Sequence, residues 1–214
     1  MTDRRELLAY VETYKRESCR ALLTLPSDDI AAFVELVLDT YARGARLLAC
    51  ANGGGCGFVA NLVADLNLHA FAADDKTQPG RRPTAFEALD LCASPATLTA
   101  LMNDRGPAFI YSAQVAIHGR PGDTLVAFSG SGNSPNVIEA LTVARARGMR
   151  TALMTRNRAT KGAALADVLL VSSDESVFPG QTGGNAGNFA AEDLWSKVSH
   201  IACGILKRAA GNAP

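Results

Sequence analysis

Side chains able to hydrogen bond an anion lie close together in the segment SGSGNS, where glycines separate them. Their hydroxyl and amide groups are short, and the glycines allow the backbone itself to approach a ligand. Pro135, the next residue, is typical of the first position of a helix. The first N–H groups of a helix lack intrahelical partners and favour negative charge. Together these features predict a site for a terminal monophosphate, formed by Ser129, Ser131, Asn133 and Ser134.

The same segment matches neither of two common nucleotide-binding motifs. It contains no lysine, so it is not the loop GxxxxGK[ST], and its glycines do not follow GxGxxG. Nucleotide binding is therefore disfavoured. An ordinary turn in which Ser134 caps a helix stays open as an alternative, although the density of hydrogen-bonding side chains favours phosphate.

The residues around this loop predict the elements that position it. The run 124–128 is apolar and β-favouring, which predicts a buried strand. The run 135–147 has apolar residues at helical spacing and ends before Gly148, which predicts a helix with a glycine at its C-terminal end. A second loop of this kind, from Asn52 to Gly55, follows the apolar run 46–51 and opens another predicted helix.

Strands and helices alternate along most of the chain, which predicts parallel strands joined by right-handed crossovers. We expect a three-layer α/β fold with a five-stranded, flavodoxin-like parallel sheet and ligand at the carboxyl ends of the strands. Two amphipathic helices precede the first strand. The predicted strands are 46–51, 85–91, 124–128, 150–155 and 167–172, and the predicted helices are 4–24, 27–43, 56–69, 97–104, 109–118, 135–147 and 189–208, with a short helical piece at 162–166.

The segment SGSGNSPNVIEAL resembles the phosphate loop of the sugar isomerase (SIS) domain, in particular that of bacterial phosphoheptose isomerases. The segments TLTALMND and GRPGD are also similar to that family. The resemblance implies an aldose–ketose isomerase for a sugar monophosphate, with Asn52, Gly53 and Gly54 closing the other side of the site. It also implies a homotetramer built by N-terminal helices (1–44), with sites between protomers formed by the SIS domain (45–214).

The resemblance fails at the family's acid and base. Asn61 and Ala64 stand where the family has histidine and glutamate, and Trp195 stands where it has the catalytic histidine. Since some members bind zinc through these residues, we expect no metal and no cofactor here. The carboxylates that could act as acid or base instead are Asp65, Glu192 and Asp193.

Three interpretations remain open. The chain is an isomerase with another acid and base, or an isomerase for a different phosphosugar with Trp195 in its wall. Alternatively it is a non-catalytic module that binds phosphosugar or protein, as does the SIS-family partner of the bacterial replication initiator. Each carboxylate also has a structural interpretation: Glu192 and Asp193 can complement the dipole of the last helix, and Asp65 can be a surface residue.

Composition excludes several classes of function. Positive and negative charges balance at 21 each, which disfavours nucleic acid and anionic membrane as partners. No apolar run approaches the ~18 residues of a membrane span, and the charged N-terminus does not predict a signal peptide. The scattered cysteines predict reduced thiols in a cytoplasm, with Cys56 either a reactive thiol at a helix N-terminus or a small packed residue. These cysteines are Cys19, Cys50, Cys56, Cys92 and Cys203.

Overall fold

A computed structural model describes residues 3–71, 86–173 and 180–211. Its sheet has five parallel strands in the order β2-β1-β3-β4-β5. This is the flavodoxin-like order, so the predicted fold class is confirmed. The strands are β1 (Leu47–Ala51), β2 (Ala88–Asp90), β3 (Thr124–Phe128), β4 (Arg150–Thr155) and β5 (Val168–Val171).

Helices cover both faces of the sheet. The α-helices are α1 (Arg4–Thr24), α2 (Ser27–Ala42), α3 (Gly55–Ala64), α4 (Pro95–Arg105), α5 (Ser112–His118), α6 (Pro135–Ala146) and α7 (Asn188–Ala209). A π-helical turn (Asp65–His69) continues α3, and single 3-10 turns occupy Pro107–Phe109, Ala163–Leu165 and Gly183–Asn185. None of the helices in these described ranges is long and apolar enough to cross a membrane.

The sheet separates two apolar cores, because successive side chains of a strand point to opposite faces. On one face, Ala49 and Val126 join the core that α2, α3 and α7 cover. On the other face, Leu48 and Leu125 join the core that α5 and α6 cover. Helix, sheet and helix therefore form the three predicted layers.

Helix α1 buries little of its length. Among its residues only Ala21 is buried, whereas α2 buries an entire face that includes Phe33 and Val37. The side chains of Leu7, Leu8 and Val11 are about half exposed. Helix α2 is thus part of the core layer, and α1 presents an apolar surface to solvent.

Some predicted boundaries shift. Strand β2 is shorter than predicted, and Asn67 of the π-helical turn accepts from the Ala88 N–H (2.8 Å) and donates to its carbonyl (2.9 Å), satisfying backbone at this sheet edge. The predicted helix 109–118 starts only at Ser112, because Gly106 (φ 92°) and Pro107 impose a 3-10 turn first. The residues 70–83 are polar and turn-rich and the residues 173–188 are glycine-rich, so the sequence predicts loops at both places; each loop lies partly outside the described residues.

Candidate functional site

The site lies where β1 and β3 end side by side, since the loops after neighbouring parallel strands meet at one edge of the sheet. Asn52, after β1, and Asn136, in the first turn of α6, exchange side-chain hydrogen bonds of 2.7 and 3.0 Å between their amides. This reciprocal pair fixes the two predicted ligand loops against each other.

The loop 129–134 is shaped by local hydrogen bonds. The N–H of Gly132 donates to the carbonyl of Ser129 at 3.0 Å, closing a turn in which Gly132 has a φ of 63°. A side chain at this position would also collide with Thr160, whose Oγ1 lies 2.4 Å from an ideal Cβ. Glycine is therefore required here both by conformation and by space.

Ser134 occupies the N-cap position of α6, as predicted, but its hydroxyl does not cap the helix. Its Oγ lies 3.1 Å from Oγ of Ser129, and the N–H of Val137 donates instead to Oδ1 of Asn136. Because Asn136 satisfies the helix end, the Ser129 and Ser134 hydroxyls are left together at the mouth of the loop.

A cavity of about 180 Å³ opens between the two loops and the start of α7. It brings together five of the residues that the sequence predicts for the site: Asn52, Ser129, Ser131, Ser134 and Glu192. The remaining lining residues are Gly55, Phe128, Gly130, Gly184, Asn188 and Trp195. Hydroxyls on one side and a carboxyl on the other thus face a common space.

Glu192 is the predicted acid/base residue that reaches this cavity. Burial raises the pKa of its carboxyl, and the nearby charge of Asp193 adds to the rise. The side chain also explains the glycine at residue 54, because an ideal Cβ there would lie 2.9 Å from Oε2 of Glu192. Gly55 is packed as tightly, since its Cβ would lie 2.7 Å from Cβ of Ala51.

Trp195 follows Glu192 by one turn of α7 and forms an apolar wall. It is only 3% exposed and its ring packs edge-on against Phe58 at 5.5 Å and tilted against Phe128 at 5.9 Å, measured between ring centroids. Its buried indole N–H has no hydrogen-bond partner among the described residues. An indole can neither take up nor release a proton at neutral pH, so Trp195 contributes shape to the site and no acid–base chemistry.

The other predicted carboxylates lie away from the cavity. Asp193 accepts a hydrogen bond from the Tyr14 hydroxyl of α1. Asp65 lies 3.7 Å from Nε2 of His69 and 3.6 Å from Nε2 of His200. In the described ranges, no cluster of three or more His, Cys, Asp or Glu side chains is arranged to hold a metal ion.

The remaining predicted binding residues have roles in shaping the loops. Gly53 has a φ of 56°, and its carbonyl accepts from the Cys56 N–H at the start of α3. Asn133 accepts from the Lys161 N–H at 3.0 Å and donates to the carbonyl of Ser131.

Sequence reasoning missed Arg156, which follows β4. Its Nε donates to the carbonyl of Gly130 at 3.1 Å and its Nη2 to the carbonyl of Gly184 at 2.7 Å. Burial lowers the pKa of this guanidinium. Arg156 joins the predicted anion loop (residues 129–134) to the segment that leads into α7. It also lines an adjoining depression of about 580 Å³. Its position directly after the strand that neighbours β3 was the signal that could have revealed it.

Comparison with known proteins identifies relatives of this chain. A phosphoheptose isomerase from Bordetella avium is 41% identical over 137 residues, which cover 64% of this chain and 65% of the relative. The alignment thus spans slightly less than two thirds of that protein's length. A phosphoheptose isomerase from Rhodospirillum rubrum is 31% identical over 181 residues, which cover 84% of this chain and 85% of the relative.

Solved structures share the fold. The structure of a phosphoheptose isomerase from Neisseria gonorrhoeae is 28% identical, covers 94% of this chain and 98% of its own, and superposes with a TM-score of 0.76. A phosphoheptose isomerase from Francisella tularensis, 20% identical, has a TM-score of 0.77 and covers 97% of this chain and 100% of its own. The sequence profile of the SIS domain matches residues 9–156, which include β1, β3 and both ligand loops. The chain therefore belongs to the SIS domain family.

Proposed function

We propose that this protein is a phosphosugar isomerase that binds a sugar monophosphate and interconverts its aldose and ketose forms. The observation that carries the proposal is a shared cavity. Hydroxyls of the anion loop line one side of it, and Glu192, whose burial raises the pKa of its carboxyl, lines another. A phosphate anchor and an acid–base group within one small space are the parts that this reaction needs.

The phosphate binds at the loop 129–134. Ser129, Ser131 and Ser134 supply hydroxyl donors, and the start of α6 adds its dipole. Arg156 adds positive charge behind Gly130, which offsets the absence of a lysine from the loop itself. Asn52 closes the opposite side of the cavity.

Glu192 acts as the general base. It removes the proton from the hydroxyl-bearing carbon next to the carbonyl while the carbonyl oxygen takes up a proton from water, giving an enediol. It then returns its proton to the former carbonyl carbon while the hydroxyl on the first carbon loses its proton to water and becomes the new carbonyl. A carboxyl with a raised pKa suits both steps, because it binds the proton more firmly in the intermediate than an ordinary glutamate does. Asp65 and Asp193 do not line the cavity, so we assign the proton transfer to Glu192 in preference to either.

The relatives support an isomerase over the non-catalytic alternative, because proteins named phosphoheptose isomerase align with 64% and 84% of this chain. They also indicate the substrate class. Sedoheptulose 7-phosphate is accordingly the first substrate to test.

The test is proton exchange followed by NMR in deuterated water, with sedoheptulose 7-phosphate and a panel of ketose and aldose phosphates. We expect deuterium at the carbon next to the carbonyl with the wild-type protein and almost none with Glu192→Gln. Asp65→Asn is the matched control, because it alters another predicted carboxylate that lies outside the cavity. If the wild-type protein broadened the ligand lines but exchanged no proton, the protein would bind phosphosugar without catalysis, and the isomerase proposal would be wrong.

We further propose that the protein assembles as a homotetramer in the cytoplasm. Exposed apolar side chains on α1 and α7 support a subunit interface, and the free cysteines of the described residues fit a reducing compartment. The exposed apolar side chains of these helices are Leu7, Leu8, Tyr10, Val11, Leu22, Leu23, Phe189, Ile201 and Ile205. Light scattering on the Leu8→Glu and Val11→Glu variants tests the assembly. If the variants remained tetramers, α1 would not be part of the subunit interface.

A further inference from the structure

Two thiols and a phenol converge on one backbone oxygen at the end of β1. Sγ of Cys56 donates to the carbonyl of Ala51 at 3.1 Å, and Sγ of Cys92 donates to the same oxygen at 3.4 Å. The Tyr111 hydroxyl donates to this oxygen as well. Because both sulfur atoms bond this one oxygen, the distance between them is at most the sum of the two sulfur–oxygen distances. Neither the sequence motifs nor the proposed isomerase reaction uses this cluster.

The two thiols differ from the other cysteines in being both paired and partly exposed. Cys50 and Cys203 are buried, and Cys19 is exposed on α1. Cys56 lies in the first turn of α3, after β1, and Cys92 lies two residues after the end of β2, so they belong to segments that follow neighbouring strands at the sheet edge. A bond between them would join neighbouring loops without crossing the core.

We propose that Cys56 and Cys92 form a peroxide-sensitive dithiol that closes to a disulfide and thereby weakens phosphosugar binding. This inference goes beyond the isomerase function, since disulfide formation itself needs no substrate.

The chemistry assigns a distinct part to each sulfur. When Cys56 ionises, its thiolate can accept a hydrogen bond from Cys92 and a weaker one from Tyr111, which lowers the pKa of Cys56 to about 7. The same interaction with Cys56, together with burial, raises the pKa of Cys92. Cys56 is therefore the thiolate that attacks a hydroperoxide, taking one oxygen as a sulfenic acid while the O–O bond breaks and the alcohol or water leaves. The Cys92 sulfur then attacks Sγ of Cys56, loses its proton and expels the oxygen as water. The two thiols and one hydroperoxide thus yield one disulfide, one alcohol or water molecule and one further water molecule.

The order of the strands gives the direction of the effect. Strand β1 lies between β2, which leads to Cys92, and β3, which leads to the anion loop. Drawing Cys56 toward Cys92 moves the first turn of α3 toward β2 and away from the anion loop. Asn52 and Gly55, which line the cavity just before Cys56, move with it. The cavity widens and loses its fit to the ligand.

The experiment treats the full-length protein with hydrogen peroxide and measures two quantities. Intact mass and thiol counting detect the disulfide, and titration with sedoheptulose 7-phosphate, or with inorganic phosphate, measures affinity before and after oxidation. We expect loss of two titratable thiols, recovery with dithiothreitol, and an affinity lowered by about tenfold in the oxidised protein. Cys56→Ser and Cys92→Ser should abolish the reversible change, whereas Cys19→Ser should preserve it.

Each other result overturns a defined part of the proposal. Peptide mapping that finds no Cys56–Cys92 linkage after peroxide overturns the dithiol. A linkage that leaves the affinity unchanged overturns its effect on the site. If the reduced protein bound neither ligand, the proposed function would be contradicted. The intact mass would then still show whether Cys56 and Cys92 form the disulfide.

Discussion

The carboxyl of Glu192 occupies the space beside Gly54 that a larger residue would need, with Oε2 only 2.9 Å from an ideal Cβ at residue 54. Gly54 has an ordinary backbone conformation (φ −58°, ψ −27°), so its lack of a side chain serves space and not backbone freedom. The first turn of α3 and the first turns of α7 are thus fitted to each other at the cavity.

Gly54→Ala should therefore displace the Glu192 carboxyl without straining the backbone. We expect the rate of proton exchange to fall by about tenfold or more, because small displacements of a catalytic group are costly. Phosphate affinity should change little. Gly57→Ala is the matched control, since nothing lies within 4 Å of an added Cβ there. If Gly54→Ala and Gly57→Ala exchanged protons at the same rate, Glu192 would not be the catalytic base.

The raised pKa of Glu192 predicts opposite effects of pH on rate and on stability. The rate should rise as pH increases through that pKa, because only the carboxylate can accept a proton. The folded protein binds this proton more tightly than the unfolded chain does, so this group's contribution to stability is complete below the unfolded pKa and is lost as pH rises through the folded pKa. Exchange rates and melting temperatures between about pH 4 and pH 8 measure both.

Glu192→Gln should remove both the pH dependence of the exchange rate and this group's pH dependence of stability. Its exchange rate should be about 10²-fold to 10⁴-fold lower, while its melting temperature near neutral pH should be equal to or above that of the wild-type protein. A large loss of melting temperature would show that the carboxylate holds the fold together and would contradict the assignment.

Removing the loop hydroxyls should weaken binding of phosphosugar. A hydrogen bond to a charged group contributes about 1.5–3 kcal/mol, so the double variant Ser131→Ala and Ser134→Ala should lose at least about tenfold in affinity. Isothermal titration measures this. Thr142→Ser, on the exposed part of α6, serves as a control that leaves the loop intact. Unchanged affinity in the double variant would place the phosphate elsewhere.

Arg156 should act through its position as well as its charge, because its guanidinium joins the carbonyls of Gly130 and Gly184. A lysine has the charge without the planar fork. Arg156→Lys should therefore weaken binding nearly as much as Arg156→Met. Arg158→Met tests the neighbouring arginine, which pairs with Asp29. If Arg156→Lys bound phosphosugar as tightly as the wild-type protein, Arg156 would contribute only its charge.

The sequence predicted the central elements well, because their patterns are local. Strands β3 and β4 begin and end where alternating apolar runs and turn residues indicate, and Pro135 opens α6 as expected. Strand β2 was overpredicted: as an edge strand it pairs with β1 alone, and the side chain of Asn67 bonds the backbone of Ala88 at that edge. Which strands are neighbours came from the alternation of elements and from the family resemblance.

The sequence identified three candidate acid/base residues but did not show which of them lies in the site. Glu192 and Asp193 are adjacent, and only the rotation of α7 about its axis decides that one lines the cavity while the other bonds to Tyr14. Arg156 was missed because its partners are backbone carbonyls, which form no motif, so that only its position after β4 could have revealed it.

The cavity takes its walls from residues as far apart in the chain as Asn52 and Trp195. During synthesis the cavity cannot form until α7 has followed the earlier elements out of the ribosome and has packed into place. A phosphosugar that binds there, as we propose, would consequently bind only chains in which α7 is in place, and by mass action it would stabilise the whole fold and not one loop. In a cell, the supply of substrate would then help to determine how much of this protein escapes degradation.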